Sequence, residues 1–362
     1  MQEAIIELFF SLIRCGIGKE RALPYAPTPD EWAELFDISI KQALTGIAFA
    51  GIERLPIEQQ PPRRLKLQWY SACETIKQKN AEMNKKSIGV SRRFRQEGFD
   101  NCILKGQGIA QLYPNPLLRT PGDIDIWIDG NENKVIEFAN KHLPGQRPTY
   151  HHIDFNITPN LNIEIHYRPS WTNNPFTNNR LQDFFFSQAK EQFENITETP
   201  EGTFPAPTLA FNRIYILLHI YRHLFLEGIG MKQILDYYFV TTQSITPEEK
   251  ADFIKTIKAF RLTKFTAALM YVMQQMFSLD EKHFILKPNA RTGKFLLREI
   301  MIAGNFGQHD HRYDLRKQEY SLKRAIETTR RTATLLTHFP GETLWSPYFK
   351  LWHYFWRKRH FK

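Results

Sequence analysis

The chain changes its hydrophobic period twice, and that switch limits what it can fold into. Over roughly the first 95 residues apolar side chains recur three to four apart: Ile5, Ile6, Leu8, Phe9, Phe10, Leu12 and Ile13, then Trp32, Leu35, Phe36, Ile38 and Ile40, then Ala43, Leu44, Ile47 and Ala48. A Pro-containing break from Pro56 to Arg64 is followed by a long polar helix, predicted from Leu65 to Gln96 and closed by Gly98. Then the pattern becomes short and alternating. Strands are predicted at Asn101–Lys105 and Asp123–Asp129, with a hairpin of His151–Ile157 and Leu161–Tyr167 around Thr158, Pro159 and Asn160. Short helices are predicted at Gly106–Tyr113 and Lys134–Leu143. After Pro205, Ala206 and Pro207 the helical period returns, in Asn212–Leu226, Gly230–Thr241, Pro247–Phe260 and Thr263–Phe277, and continues to the C-terminus. The expected class is α+β: a small mixed-sheet core over 96–200, an N-terminal helical domain over 1–95 and a C-terminal helical domain over 201–362.

With 362 residues, the chain has material for two or three domains and a sizeable core. Its first apolar segment lacks a preceding basic stretch and carries Glu3 and Glu7, so it reads as an amphipathic helix instead of a signal peptide. No apolar run approaches the roughly 20 residues needed to cross a bilayer. Cys15, Cys73 and Cys102 are odd in number and far apart, which suits neither a disulfide framework nor a metal or redox pair. The expected compartment is the cytoplasm.

Charge is unevenly placed. The chain carries 48 Lys and Arg against 38 Asp and Glu, for a net +10. Residues 311–362 hold 12 of those bases and 4 of those acids, so +8 of the excess lies at the C-terminal end. That end also bears Trp345, Tyr348, Phe349, Trp352, Phe355 and Trp356 at helical spacing, followed by Arg357, Lys358 and Arg359. An aromatic stripe docked on the helical domain with a solvated basic tip accounts for this pattern; RNA binding by phosphate contact and base stacking is the functional alternative, and an interfacial membrane helix a third.

The chemistry-bearing signal lies in the middle. Leu104-Lys105-Gly106-Gln107-Gly108 is followed by Arg119-Thr120-Pro121-Gly122-Asp123-Ile124-Asp125-Ile126. Residues two apart on a strand share a face, about 6.5–7 Å apart at Cα, so Asp123 and Asp125 project together. Ile124, Ile126 and Ile128 take the core side, and the acids are expected at the solvent edge, ready to hold one or two divalent cations. In Ile163-Glu164-Ile165-His166, Glu164 and His166 share a face, and Glu164 completes a three-carboxylate cluster if that strand lies beside Asp123–Ile128. The turn at Gly106 and Gly108 can offer backbone N–H groups to phosphate oxygens, with Lys105 or Arg119 to neutralise them. A lone Asp-x-Asp strand is most often a solvated edge; the ordered series of Lys105-Gly106, Arg119, Asp123, Asp125 and Glu164 is what makes a metal and phosphate site the better reading.

This series resembles the Gly-Gly or Gly-Ser … Asp-x-Asp motif of the DNA polymerase β-like nucleotidyltransferase superfamily. More closely, it is similar to the uncharacterised bacterial nucleotidyltransferase family related to toxin and abortive-infection nucleotidyltransferases. The Glu164 strand with its trailing His166 resembles that family's third-carboxylate strand, and His219, His223, Gly230, Lys232 and Asp236 resemble its following helical segment. One departure is clear: Gln107 separates the two glycines that the superfamily pattern places together.

The resemblance implies a metal-dependent nucleotidyltransferase that uses Mg²⁺ or Mn²⁺ and an NTP, such as ATP, and releases pyrophosphate. Asp123, Asp125 and Glu164 are the expected catalytic metal ligands, Glu164 also helping to deprotonate the acceptor. Lys105, Gly106, Gly108, Arg119 and Lys232 are the expected nucleotide contacts, with His166, His219, His223 and Asp236 close to the metals or the substrate. The acceptor hydroxyl can belong to tRNA or other RNA, a protein or a small molecule. A catalytically degenerate nucleotide-binding or RNA-binding regulatory protein is the alternative. His219 and His223 lack the intervening Glu of a His-Glu-x-x-His zinc site, so packing or substrate contact is expected of them. Lys232 and Asp236, four apart, also suit a plain helix ion pair. His151-His152 and His309-Asp310-His311 read as surface or hydrogen-bonding groups.

Overall fold

A computed structural model describes residues 3–157, 161–312 and 322–360. It is an α+β structure. The N-terminal helices are α1 (Glu3–Gly16), α2 (Pro29–Lys41), α3 (Thr45–Ile52) and the 34-residue α4 (Arg63–Gln96). α2 starts with a reciprocal capping box between Thr28 and Glu31, with Pro29 at its first position. α4 is polar on most of its surface and buries a stripe that includes Trp69, Cys73, Asn80, Asn84, Ser87 and Phe94. Half of that stripe is itself polar, which becomes important at the site.

The sheet holds β1 (Asn101–Leu104), β2 (Ile124–Ile128), β3 (His152–Asp154) and β4 (Ile163–His166) in the order β1-β2-β4-β3. β1 is antiparallel to β2, β2 is parallel to β4 and β4 is antiparallel to β3. The two strands expected as a hairpin do pair; the Thr158–Asn160 turn lies outside the described residues. Between the strands sit α5 (Gly106–Ala110) and α6 (Glu132–His142). One sheet face packs Ile103, Ile124, Ile126, Ile153, Ile163 and Ile165 against Val135, Ile136 and Ala139 of α6 and against Phe94 of α4.

The opposite face is covered as well, and this corrects the expectation that Asp125 faces solvent. On that face Trp127 meets Phe185, Phe193 and Phe211, from α7 (Pro175–Glu194) and α8 (Leu209–Leu226). A sheet with both faces covered buries every residue of a central strand, and β2 is buried throughout. Asp125 is therefore only 2% exposed, whereas Asp123, one residue outside the strand, is exposed.

A ribbon that the sequence reading assigned no structure, β5 (Ile196–Thr199) with β6 (Gly202–Pro205), precedes α8. The chain continues through α9 (Met231–Thr241), α10 (Pro247–Ala259), α11 (Thr263–Phe277), α12 (Ala290–Ala303), α13 (Leu322–Thr334) and α14 (Pro340–His360). α8 and α9 are buried along almost their whole length. Helices from both ends of the chain share one apolar core, in which Leu8, Phe9 and Leu12 of α1 join Leu269 and Met273 of α11. α14 lays Phe349, Trp352 and Trp356 against Tyr150 and leaves Tyr348, Leu351, Tyr354 and Phe355 exposed. No helix of the described residues is long and apolar enough to cross a membrane.

Candidate active site

Lys105 follows β1 and caps the five-residue α5, with φ 52° and ψ −135°, and Gly106 follows at φ 37°. A non-glycine residue with positive φ is costly and persists where its surroundings hold it. The holding is done by Gln107, the residue that interrupts the two glycines. Its buried amide donates to Asn84 Oδ1 at 2.6 Å, which anchors the turn to α4. One helical turn earlier, Asn80 Nδ2 donates to the carbonyls of Leu117 (2.7 Å) and Arg119 (2.6 Å) and fixes the loop that carries the arginine.

The pairing of β2 with β4 sets Asp125 opposite Glu164, while the pairing of β1 with β2 sets it opposite Leu104. Lys105 Nζ lies 2.9 Å from Asp125 Oδ2, and His166 Nε2 lies 2.8 Å from Asp125 Oδ1 and 3.3 Å from Glu164 Oε2. Burial works against each of these charges, and the pairing outweighs it. Lys105 is raised above the usual lysine range chiefly by Asp125. Asp125 is lowered by Lys105 and His166, and Glu164 falls to about 2 under the influence of His152 and His166. His166 rises to about 9 through its bonds to Asp125 and Glu164.

A second buried network adjoins the first. Arg119 binds Asp236 bidentately, Nε to Oδ1 at 2.7 Å and Nη2 to Oδ2 at 2.8 Å, and Tyr113 donates its hydroxyl to the same carboxylate at 2.7 Å. Asp236 thus belongs to the arginine and not to Lys232. Arg119 Nη1 is buried without a partner among the described residues. Lys232 is also buried, and desolvation, with Arg119 nearby, lowers its pKa to about 7.

These groups converge. Lys105, Gly106, Arg119, Asp123, Asp125, His219, Lys232 and Asp236 line one small pocket of about 40 Å³. Next to it lies a cavity of about 390 Å³ that contains Glu164, His166 and His223, with Lys105, Asp123 and His219 on the wall common to both. Gly108 is not part of either wall. Its N–H donates to the Lys105 carbonyl, and a Cβ there would come within 3.0 Å of the Ala206 side chain, so it serves the packing of α5 on the segment after β6. Asp125, Glu164 and His166 each offer a ligand atom within 4.8 Å of the other two; Asp123 belongs to no such close group among the described residues. The His219 and His223 rings meet edge to face, 4.2 Å between centroids, and His223 Nδ1 lies 2.6 Å from Glu227 Oε1, so neither is arranged around an ion with the other.

His151 and His152, read from sequence as surface groups, line the larger cavity instead. The signal that finds them is alternation combined with register: His152 stands opposite His166 once β3 is paired to β4. Asn80, Asn84 and Tyr113 were also missed, because polar residues on a long helix or a loop carry no mark of the partner they hold.

A family model described as "Uncharacterised nucleotidyltransferase" matches residues 28–278. The match contains every residue placed in the two cavities up to Glu227, together with Lys232 and Asp236, and ends before the basic C-terminal segment. No curated protein and no solved structure matches the chain.

Proposed function

The chain belongs to the uncharacterised nucleotidyltransferase family, and from that premise we propose that it moves an NMP unit from an NTP to an acceptor hydroxyl with release of pyrophosphate. The observation that carries the reading is the small pocket, where Lys105, Arg119 and Lys232 stand with Asp123 and Asp125. Three cations and three carboxylates line this recess, Asp236 being taken up by Arg119, and the set suits a polyphosphate accompanied by a cation.

The donor set fits a divalent ion: two carboxylates and an imidazole lie within 4.8 Å of one another, and Asp123 sits on the wall shared by both cavities. Asp123, Asp125 and Glu164 are the residues that would hold Mg²⁺ or Mn²⁺, which when bound supplies charge neutralisation at the α-phosphate and its attacking and leaving oxygens. Arg119, clamped by Asp236 on one edge, turns its remaining N–H groups to phosphate oxygens, and Lys232 adds a second positive charge. Gly106, without a side chain, admits a phosphate close to the backbone. Lys105 holds Asp125 in place from below.

In the transfer step the acceptor oxygen bonds to the α-phosphorus, the α–β anhydride bond breaks, and its electron pair leaves with pyrophosphate. The hydroxyl proton leaves to solvent through the larger cavity. Glu164, a ligand in this reading, lines that cavity. Among acceptors the +8 C-terminal segment favours RNA. The test is incubation of the full chain with α-labelled NTPs, Mg²⁺ or Mn²⁺, and separate RNA, protein and small-molecule fractions. Label transfer with pyrophosphate release, lost in Asp123→Asn, is the expected result; calorimetric nucleotide binding without transfer to any fraction would instead assign a non-catalytic nucleotide-binding module.

A further inference from the structure

The histidines next to β4 form a cluster of their own. His152 stands opposite His166 across the β3–β4 pair, and the His151 ring lies 4.1 Å from the His152 ring and 5.3 Å from the His166 ring, centroid to centroid. One ring nitrogen of each lies within 4.8 Å of the other two. His151 Nε2 and His152 Nδ1 are 2.8 Å apart, and Glu164 Oε2 is 3.5 Å from His152 Nδ1 and 3.3 Å from His166 Nε2. Ligand nitrogens bound tetrahedrally at about 2.0–2.1 Å from a metal stand roughly 3.3 Å from one another, a spacing that the three rings bracket, with 2.8 Å between His151 and His152 and all three nitrogens within 4.8 Å.

Two further features point to a missing ligand. His166 Nδ1 is buried with no hydrogen-bond partner among the described residues, a condition that an ion relieves. The Thr149 hydroxyl donates to the His152 carbonyl and lies 3.1 Å from His151 Nδ1; accepting that N–H leaves a lone pair on Nε2, toward the cluster.

We propose that His151, His152 and His166 form a binding site for a borderline transition-metal ion of the Zn²⁺ type, distinct from the Asp123, Asp125 and Glu164 carboxylates. Imidazole-rich sets select such ions over Mg²⁺, which prefers oxygen. The site stands whether or not the chain transfers nucleotides, since His151 and His152 take no part in that reading.

The test is titration of chelator-treated full-length protein with Co²⁺. The expected result is one tightly bound equivalent with visible ligand-field absorption, displaced by one equivalent of Zn²⁺ and retained against about a hundredfold excess of Mg²⁺. The same titration of Asp123→Asn is expected to be unchanged, while His151→Asn with His152→Asn weakens Co²⁺ binding at least tenfold. Absence of binding, displacement by equimolar Mg²⁺, or equal affinity in the double variant overturns the site. Should the double variant not fold, X-ray absorption at the zinc edge of the unaltered protein decides: imidazole scattering is expected, and an all-oxygen shell overturns the proposal.

Discussion

Arg119 gives two of its nitrogens to the Asp236 carboxylate, at 2.7 and 2.8 Å, and keeps the third, Nη1, buried and without a partner among the described residues. Asp236→Asn removes the counter-charge and leaves the guanidinium buried and unpaired. Loss of one partner of a buried pair costs about 3–5 kcal/mol, so chemical denaturation should show a drop on that scale. If the variant still folds, its KM for NTP should rise more than its kcat falls, because the cation that meets phosphate has lost its alignment.

The two aspartates should separate stability from activity. Asp123 is exposed and Asp125 is buried between Lys105 and His166. Asp123→Asn is expected to leave the melting temperature within a degree or two of the parent, as surface changes usually stay within about 0.5 kcal/mol, while transfer is lost. Asp125→Asn should lower both. Melting curves and label transfer measured on the same preparations check this.

Lys232 should couple nucleotide binding to pH. Its pKa is lowered to about 7 in the free protein, and a polyphosphate beside it raises that value again. Binding near pH 8 should therefore take up a proton, and affinity should weaken as pH rises above 7. Calorimetry in buffers of different ionisation enthalpy reads the uptake, which should vanish in Lys232→Met.

Glu342 offers a pH effect on stability remote from the pocket. Burial raises its pKa from 4.5 to about 7, even though its carboxylate accepts the Asn173 N–H at 2.6 Å. The folded state thus holds a proton that the unfolded chain has released. The stability this contributes is complete below pH 4.5 and is lost as pH rises through 7. Glu342→Gln should flatten that part of the stability profile relative to the parent, read as the difference between two denaturation series from pH 4 to about 8.

Gln107→Gly restores adjacent glycines and removes the bond to Asn84. The expected loss is about 1–3 kcal/mol, from the unsatisfied Asn84 and the freer turn, with a weaker apparent affinity for NTP. A variant as stable and as active as the parent would mean that the turn does not need this anchor.

The order of the elements was legible in the sequence because period is a local property: the long α4, the alternating β2, and the β3–β4 pairing all follow from spacing. That Glu164 stands beside Asp125 was a condition the sequence could only pose, and the parallel β2–β4 pairing meets it. What spacing could not report is the second layer. Alternation places Asp125 away from Ile124 and Ile126, but only the packing of Trp127 on Phe185 and Phe211 reveals that this side is covered too. His151 and His152 escaped for a related reason, since their neighbours lie across a strand pair and not along the chain. Gln107 looked like a blemish in a motif, and its role emerges only when Asn84, 23 residues earlier, faces it.

Asn80 and Asn84 lie one turn apart on the same rigid rod, one gripping the Arg119 loop and the other the Lys105 turn. The two segments proposed to meet phosphate are thus yoked to a single crossbar. A rotation or shift of α4 would therefore be felt by both segments at once.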